Sequence, residues 1–364
     1  MSSHFAIAIT SKGNLEEVQV STPTPGPGEV LIRVHYAALI PFDTYQLDRG
    51  YLLTEKSYPH VIGFSASGLV KAVGEGVTDL KVGDRVASFN YPAAKNKALQ
   101  EYTLVLRNLV AKVPDSFPLD KAASMPDNFT TSLCTIFGLS SFALPLPSSF
   151  PAQQPPATAD APVLVYGAGS SSGQYMIQIF KLSGFTNIIG IASPRNHEYL
   201  KELGAKHCFD YRSPTLAQDV LSATEGVKVA LAVDNIATKT TLTAISQVVG
   251  KGSKLAILMP IKDGETVTNP VDKEMYIGLP PFVNPLFEET EVYTVYTFKN
   301  QEDPVARETF MPKVLPQLLE NNLIRPNPIR LLNRNTLLER ALEGLDLLRN
   351  NKISGEKVII ELPH

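Results

Sequence analysis

One stretch of the sequence constrains the fold more than any other. From Val163 the chain reads VLVYGAGSSSGQYMIQIFKLSG, which is a short apolar strand, a turn of glycine and serine, and a helix with an apolar period. Strands and helices then alternate through NIIGIA, EYLKEL, HCFDY, VKVALAVDN, ISQVV and SKLAILM. Such strict alternation predicts an α/β domain with a doubly wound parallel sheet.

The rest of the chain follows a different pattern. Residues 1–115 alternate short β-rich runs, such as FAIAIT and EVLIRVHYAAL, with turn signals, which predicts an antiparallel β module. The proline-rich stretch PLPSSFPAQQPPATADAP cannot form a helix or a central strand, so we expect a surface loop there. A chain of 364 residues is also too long for one ordinary core and suggests two domains.

The glycine turn is a candidate cofactor site. It reads G-A-G-S-S-S-G instead of the strict G-x-G-x-x-G, but it follows a strand and opens a helix at the first βα turn. Backbone N–H groups and the helix dipole can hold a pyrophosphate at that place, whereas the alternative is a tight turn that binds no ligand. The candidate residues are Gly167, Gly169, Ser170, Ser171, Ser172 and Gly173.

The end of the second strand predicts which dinucleotide binds. The sequence Ile191-Ala192-Ser193-Pro194-Arg195 offers no carboxylate to the ribose 2′-OH of NAD. Ser193 and Arg195 suit the 2′-phosphate of NADPH instead, because guanidinium binds phosphate through charge-assisted hydrogen bonds. The alternative is that both residues only cap and solvate the next helix. Asn235, at the end of VKVALAVDN, is a further candidate for cofactor binding.

Composition narrows the class of partner. A net charge of −3 and 44% hydrophobic residues give no nucleic-acid footprint, so we expect a small-molecule substrate. The chain lacks a secretory signal pattern and an apolar run of bilayer length, which predicts a soluble, cytoplasmic protein that does not bind membranes. The two cysteines, Cys134 and Cys208, exclude a disulfide scaffold and an all-cysteine zinc site, and we expect both to be small buried residues.

The order of motifs along the chain resembles the medium-chain dehydrogenase/reductase superfamily. The motifs are PTPGPGEVLIRVHYAAL, GFSASGLVKAVGEGVTDLKVGDRVASF, AASMPDNFTTS, YGAGSSSGQYMIQIFKLSG, LGAKHCFDYR and GEKVIIEL. The resemblance implies a GroES-like catalytic domain over residues 1–126 and a Rossmann NADPH-binding domain over 127–300. A C-terminal segment, 301–364, would return to the catalytic domain.

Many members of this superfamily carry a catalytic zinc ion on cysteine and histidine ligands. At the places that the resemblance assigns to those ligands, this chain has Asp43 and Phe64, and the four-cysteine structural zinc loop is missing. The histidines show no metal-ligand spacing. We therefore expect a zinc-independent protein in which Asp43 has a structural role.

Two subfamilies of the zinc-free branch are similar to this chain. The segment DTYQLDRGY resembles the part of quinone oxidoreductases that faces the nicotinamide, and FDYR with the glycine turn resembles fungal trans-acting enoyl reductases of polyketide pathways. The resemblance implies that Tyr211 lies against the 2′-phosphate and Thr131 near the nicotinamide. It also implies a carrier protein or polyketide synthase as partner. Serines replace the Gly-Gly-Val that many relatives have in the glycine turn.

Zinc independence favours one type of chemistry. Without a Lewis acid to stabilise an alkoxide, hydride addition to an activated C=C (an enone, enal or enoyl thioester) is favoured over alcohol oxidation. The charge that develops on the carbonyl oxygen needs a donor, for which Tyr45 is the first candidate and Tyr51 the second. The alternative is that both rings only line an apolar cleft. Asn128 and Thr131 are candidates to position the nicotinamide or the carbonyl, the alternative being helix capping.

Two other functions stay open on the sequence alone. One is an NADPH-dependent quinone oxidoreductase, and the other is a nicotinamide-binding protein without turnover. Nor does the sequence fix the oligomeric state. The strand EVYTVYT is an edge through which family members pair as homodimers, although some fungal relatives are monomers.

Overall fold

A computed structural model of the chain describes residues 2–265 and 271–363. The chain divides into two compact units. The first contains Met1–Thr130 and Arg307–His364, and the second contains Thr131–Ala306. Across the described ranges, no helix combines the length and the apolar character needed to cross a bilayer.

The strands and helices are numbered in chain order. The strands are β1 (Ser3–Ser11), β2 (Asn14–Ser21), β3 (Glu29–Leu39), β4 (His60–Val61), β5 (Ser65–Val73), β6 (Arg85–Phe89), β7 (Tyr102–Leu106), β8 (Val110–Lys112), β9 (Val163–Tyr166), β10 (Ile188–Ile191), β11 (His207–Phe209), β12 (Leu231–Asp234), β13 (Lys254–Leu258), β14 (Ile261–Lys262), β15 (Met275–Tyr276), β16 (Glu291–Val295), β17 (Ile329–Leu332) and β18 (Lys357–Glu361). The α-helices are α1 (Pro41–Arg49), α2 (Leu119–Ala122), α3 (Pro126–Phe137), α4 (Ser171–Leu182), α5 (His197–Leu203), α6 (Leu216–Ala223), α7 (Lys239–Ser246), α8 (Pro304–Thr309), α9 (Leu315–Glu320) and α10 (Leu337–Arg349).

The first unit is the predicted β module. Its larger sheet has the order β17-β18-β3-β5-β6-β8, with β7 also paired to β3, and only β17 and β18 run parallel. A smaller antiparallel sheet has the order β2-β1-β4. Apolar side chains of α10 pack with those of β3 and β18 in one buried core, so the C-terminal residues complete this unit.

The second unit is the predicted parallel sheet. Its order is β11-β10-β9-β12-β13-β16, and every neighbouring pair is parallel. The side chains of β9, β10 and β12 are buried, as expected for strands that helices cover on both faces. The predicted fold class, an antiparallel β domain plus a doubly wound α/β domain, is confirmed. No helix or strand occurs within residues 138–162, where the proline-rich loop was expected.

The register of this sheet aligns its carboxyl ends. Tyr166 of β9 pairs with Ile191 of β10 and with Asp234 of β12, and Ile191 pairs with Phe209 of β11. The residues that follow these four strands therefore lie along one edge of the sheet, where open α/β sheets bind ligands.

Candidate active site

The glycine turn between β9 and α4 is held by hydrogen bonds among its own residues and has no side chain at its three glycines. Gly167 has φ +71°, and its carbonyl accepts a hydrogen bond from Ser170 N at 2.9 Å. The hydroxyl of Ser170 accepts from Gly173 N at 3.1 Å and caps α4. A Cβ on Gly173 would overlap the carbonyl of Gly167 and lie 2.7 Å from Ala168 Cα. Glycine is thus required where the first turn of α4 meets the end of β9.

Neighbouring residues shape the same turn. The amide group of Asn196 lies against Gly169, where any Cβ would overlap it. Ser171 and Ser172 are the first residues of α4, and the carbonyl of Ser172 accepts from Ser132 Oγ of α3 at 3.3 Å. The sequence patterns did not indicate a role for Asn196, although its place one residue after Arg195 was a signal.

Ser193 and Arg195 follow the end of β10. Ser193 precedes the 3-10 turn Pro194–Asn196, and its side chain makes no capping hydrogen bond. Arg195 is exposed, and among the described residues no carboxylate oxygen lies within 4.0 Å of its guanidinium. Its charge is therefore free to meet a phosphate at this edge.

After β11, the exposed ring of Tyr211 lies beside the guanidinium of Arg212, whose charge is paired with a carboxylate. The guanidinium of Arg212 lies 5.4 Å from that ring and binds Asp210 through Nε at 3.0 Å and Nη2 at 2.9 Å. Of these two arginines, Arg212 is thus paired with a carboxylate, whereas Arg195 has no such partner within 4.0 Å among the described residues.

Asn235 follows β12 and leaves one polar atom unsatisfied. Its Nδ2 donates to the Tyr166 carbonyl at 2.9 Å, while its buried Oδ1 has no hydrogen-bond partner among the described residues. The buried carboxylate of Asp234 holds this loop by accepting from the N–H groups of Ile236 and Ala237, each at 2.9 Å. The glycine turn, the guanidinium of Arg195 and the unpaired Oδ1 of Asn235 lie along one edge of the sheet, and together they offer donors and an acceptor to a dinucleotide.

In the first unit, Phe42 and Tyr45 of α1 form an aromatic cluster with Tyr51, which follows α1, and with Phe64, which precedes β5. The ring of Phe42 contacts the other three edge-on, with centroid distances of 6.1 Å to Tyr45, 5.7 Å to Tyr51 and 5.4 Å to Phe64. The centroids of the two tyrosine rings are 6.3 Å apart. Burial raises the pKa of Tyr45, which is 5% exposed, and Arg49 only partly opposes this effect. The phenol therefore remains a protonated donor at neutral pH.

Asp43 anchors the start of α1. Its Oδ2 accepts from Ile40 N and its Oδ1 from Gly63 N, both at 2.9 Å. Burial raises the pKa of Asp43, and nearby Lys97 opposes that effect. Both carboxylate oxygens are thus occupied by the backbone, as expected for a structural residue.

The start of α3 is held by a buried ion pair that the sequence patterns did not indicate. Asp127 Oδ2 lies 2.6 Å from Lys357 Nζ of β18, and Oδ1 accepts from Ser65 Oγ at 2.9 Å. The Ser65 hydroxyl also accepts from Asp127 N at 3.0 Å. Ser65 therefore caps the helix at this N–H.

Asn128 and Thr131 lie one turn apart on α3. Asn128 Nδ2 donates to Asp127 Oδ1 at 3.4 Å, and the hydroxyl of Thr131 is 3.0 Å from that of Thr297. Asn128 belongs to the first unit, whose N-terminal part ends at Thr130, and Thr131 belongs to the second unit.

Two further groups of candidate side chains are the potential metal ligands and the two cysteine thiols. Within the described ranges, which leave out His364, no three His, Cys, Asp or Glu residues group as metal ligands. Burial raises the pKa of the Cys134 thiol, and that of Cys208 to about 11, so neither is a thiolate at neutral pH.

Known proteins resemble the chain over nearly its whole length. The family model of the alcohol dehydrogenase GroES-like domain matches residues 26–115, and that of zinc-binding dehydrogenase matches residues 173–273. A trans-enoyl reductase of Fusarium sp. (strain FN080326) is 31% identical, with 98% of each chain covered. The enoyl reductase component of the lovastatin nonaketide synthase of Aspergillus terreus is 28% identical, over 95% of this chain and 94% of that protein.

Solved structures agree on the fold. The CurK enoyl reductase superposes with a TM-score of 0.77 at 20% identity and covers 100% of both chains. A quinone oxidoreductase of Pseudomonas syringae has a TM-score of 0.75 at 22% identity, with 99% of this chain and 100% of that chain covered.

Proposed function

Because the chain belongs to the medium-chain dehydrogenase/reductase superfamily, in the group of the fungal trans-enoyl reductases, we propose that it is an NADPH-dependent reductase of activated C=C bonds. Its substrates would be enones, enals or enoyl thioesters.

The observation that carries the proposal is the buried phenol of Tyr45. Reduction of a conjugated C=C bond at its β-carbon moves negative charge onto the carbonyl oxygen, and a protonated donor stabilises that charge. Tyr45 keeps its proton at neutral pH because burial raises its pKa. It would donate a hydrogen bond to the oxygen and then supply the proton for the α-carbon, with Tyr51 as the second candidate.

The second unit would hold the cofactor. Backbone N–H groups of the turn Gly167–Gly173 would bind the pyrophosphate, Ser193, Arg195 and Tyr211 the 2′-phosphate, and Asn235 the nicotinamide half through its unpaired Oδ1. When bound, NADPH supplies the hydride. Asn128 and Thr131 would orient the nicotinamide or the substrate carbonyl.

We further propose that the reaction is independent of zinc. Phe64 offers no ligand atom, and both oxygens of Asp43 accept hydrogen bonds from backbone N–H groups. A donor set of this kind does not provide the three protein ligands of a catalytic zinc site.

The partner would be a polyketide synthase that presents the substrate as a thioester on its carrier protein. One relative bears the name of an enoyl reductase component of such a synthase. A second candidate function, quinone reduction, is favoured by the likeness of DTYQLDRGY to quinone oxidoreductases.

A steady-state assay tests the proposal. The purified chain is mixed with NADPH or NADH and with a short enoyl thioester, an α,β-unsaturated ketone or a quinone. We expect saturated product from the thioester or the ketone, with NADPH preferred over NADH. Turnover of quinones alone, or NADPH binding without turnover of any acceptor, would contradict the proposal.

A further inference from the structure

The first unit buries a lysine that neither the sequence patterns nor the proposed function uses. Lys97 is 2% exposed, and its Nζ lies 3.2 Å from the centroid of the Phe64 ring. No carboxylate oxygen of the described residues lies within 4.0 Å of this Nζ. The face of Phe64 therefore lies nearer to this ammonium than any carboxylate oxygen of the described residues does, and a cation–π contact is strong where water is excluded.

Three titratable groups of the described residues interact electrostatically with Lys97, directly or through Asp43. Asp43, on α1, favours the protonated form of Lys97. The charge of Lys97 in turn disfavours the protonated form of His60, on β4. Burial, with a contribution from Lys97, lowers the pKa of His60 to about 4, so His60 is neutral near pH 7. Lys357, from β18, acts on the same carboxylate of Asp43.

The backbone fixes where Lys97 lies. Ala98 N donates to the Gly63 carbonyl at 3.1 Å, and Leu99 N donates to Ile62 O at 2.9 Å. These bonds hold the segment after Lys97 beside the residues that precede Phe64. The lysine is thus fixed at both ends, by its backbone and by the ring.

The aromatic cluster connects this contact to the candidate proton donor. Phe64 meets Phe42 edge-on at 5.4 Å, and Phe42 in turn contacts Tyr45 and Tyr51. Packed rings of this kind prefer defined edge-to-face geometry, so a shift of Phe64 is transmitted to its neighbours.

We propose that Lys97 is a positioning residue for the reductase reaction: its ammonium, held against Phe64, fixes through Phe42 the orientation of Tyr45 and Tyr51. The inference rests on the proposed function, because the proposed function makes Tyr45 the proton donor whose orientation affects the reaction. Lys97 itself is not assigned a contact with the substrate.

The proposal predicts a pH dependence. Burial lowers the pKa of Lys97 to about 7, with Asp43 opposing the effect. The neutral amine loses the cation–π attraction, so Phe64 is held only while Lys97 is protonated. Activity should therefore fall as pH rises through this pKa.

The first experiment measures kcat/KM for an enoyl thioester from about pH 6 to 9. The wild type should show an alkaline limb near the pKa of Lys97. Lys97→Arg should move the limb above the measured range, because guanidinium stays charged. Lys97→Met should abolish the limb and lower activity at the acidic end about tenfold. The matched control is Lys95→Met, an exposed lysine 3.4 Å from Glu29, which should keep the wild-type profile. A flat wild-type profile, or an unchanged limb in Lys97→Met, would overturn the proposal.

A second readout does not depend on turnover. In protein with ¹³C-labelled tyrosine rings, the Tyr45 signal is assigned by its loss in Tyr45→Phe and followed against pH. It should shift near the pKa of Lys97 in the wild type and stay constant in Lys97→Met. If the chain reduces no C=C bond but the shift is present, the proposed function fails and the positioning contact stands. If the shift is absent, the positioning role is wrong whatever the activity.

A double-mutant cycle tests whether the effect of Lys97 on Tyr45 is transmitted through Phe42. In a Phe42→Leu background, Lys97→Met should cost little further activity, since the connection is already broken. A full additional loss would contradict transmission through Phe42.

Discussion

At the scale of single residues, the role of Tyr45 depends on one hydroxyl group. Tyr45→Phe keeps the edge-on ring contacts with Phe42 and Tyr51 but removes the proton donor. We predict that kcat for an enoyl thioester falls by roughly 10²- to 10⁴-fold, the usual range for loss of a general acid, while the Kd for NADPH stays unchanged.

The control for this variant is Tyr51→Phe, which should lower kcat less than Tyr45→Phe does. Stopped-flow kinetics and cofactor titration provide the two measurements. Full turnover by Tyr45→Phe would mean that Tyr45 is only part of an apolar wall.

Arg195 is the residue that should distinguish NADPH from NADH. Arg195→Ala should raise the Kd for NADPH by roughly 10- to 100-fold, the contribution of charge-assisted hydrogen bonds, and leave that for NADH unchanged. The fluorescence of the reduced cofactor can report both, since the chain has no tryptophan. Arg212→Ala is the matched control, because Asp210 already occupies that guanidinium. Equal weakening of both cofactors, or tighter binding of NADH by the wild type, would contradict NADPH specificity.

At the scale of elements, the turn between β9 and α4 depends on a missing side chain. A Cβ on Gly173 would overlap the carbonyl of Gly167, so Gly173→Ala should displace the turn and destabilise the protein by about 1–3 kcal/mol. Cofactor binding should weaken as well. Gly250→Ala is the control, since its Cβ would meet no atom closer than 3.5 Å, at Lys228 Cγ. Thermal unfolding with and without NADPH measures both the loss of stability and the weakening of cofactor binding. If Gly173→Ala binds NADPH as tightly as Gly250→Ala does, Gly173 is not needed to shape the cofactor site.

The ion pair between α3 and β18 is the second element-scale feature. Lys357→Met leaves the buried carboxylate of Asp127 without its cation, which should cost about 3–5 kcal/mol of unfolding free energy. The double variant Asp127→Asn with Lys357→Met should recover part of that loss, because no buried charge remains unpaired.

Urea denaturation measures both variants. Lys352→Met, which removes an exposed lysine 3.4 Å from Asp346, should change stability little. A loss in Lys357→Met no larger than in this control would contradict a stabilising role for the pair.

At the scale of the whole molecule, sequence patterns predicted the parts whose contacts are local. Each strand and helix of the parallel sheet has its own period, and a parallel sheet brings the carboxyl ends of its strands to one edge. The sequence therefore located the glycine turn, Ser193, Arg195 and Asn235 on that edge without knowledge of the strand order.

The features that the sequence did not predict join distant segments. Asp127 and Lys357 are 230 positions apart, and Lys97 reaches Phe64 from a segment without a periodic pattern. No local rule indicates that Lys97, which stands between Asn96 and Ala98 in PAAKNKALQ, is buried against an aromatic ring. Such pairs are set by the packing of the first unit.

The most direct test of the proposed function follows the hydride itself. The chain is incubated with an α,β-unsaturated ketone and with NADPH that carries deuterium at the transferring position, and the product is examined by NMR. We predict deuterium on the β-carbon of a saturated ketone. Deuterium on the carbonyl carbon, or the absence of product while NADPH is bound, would contradict it.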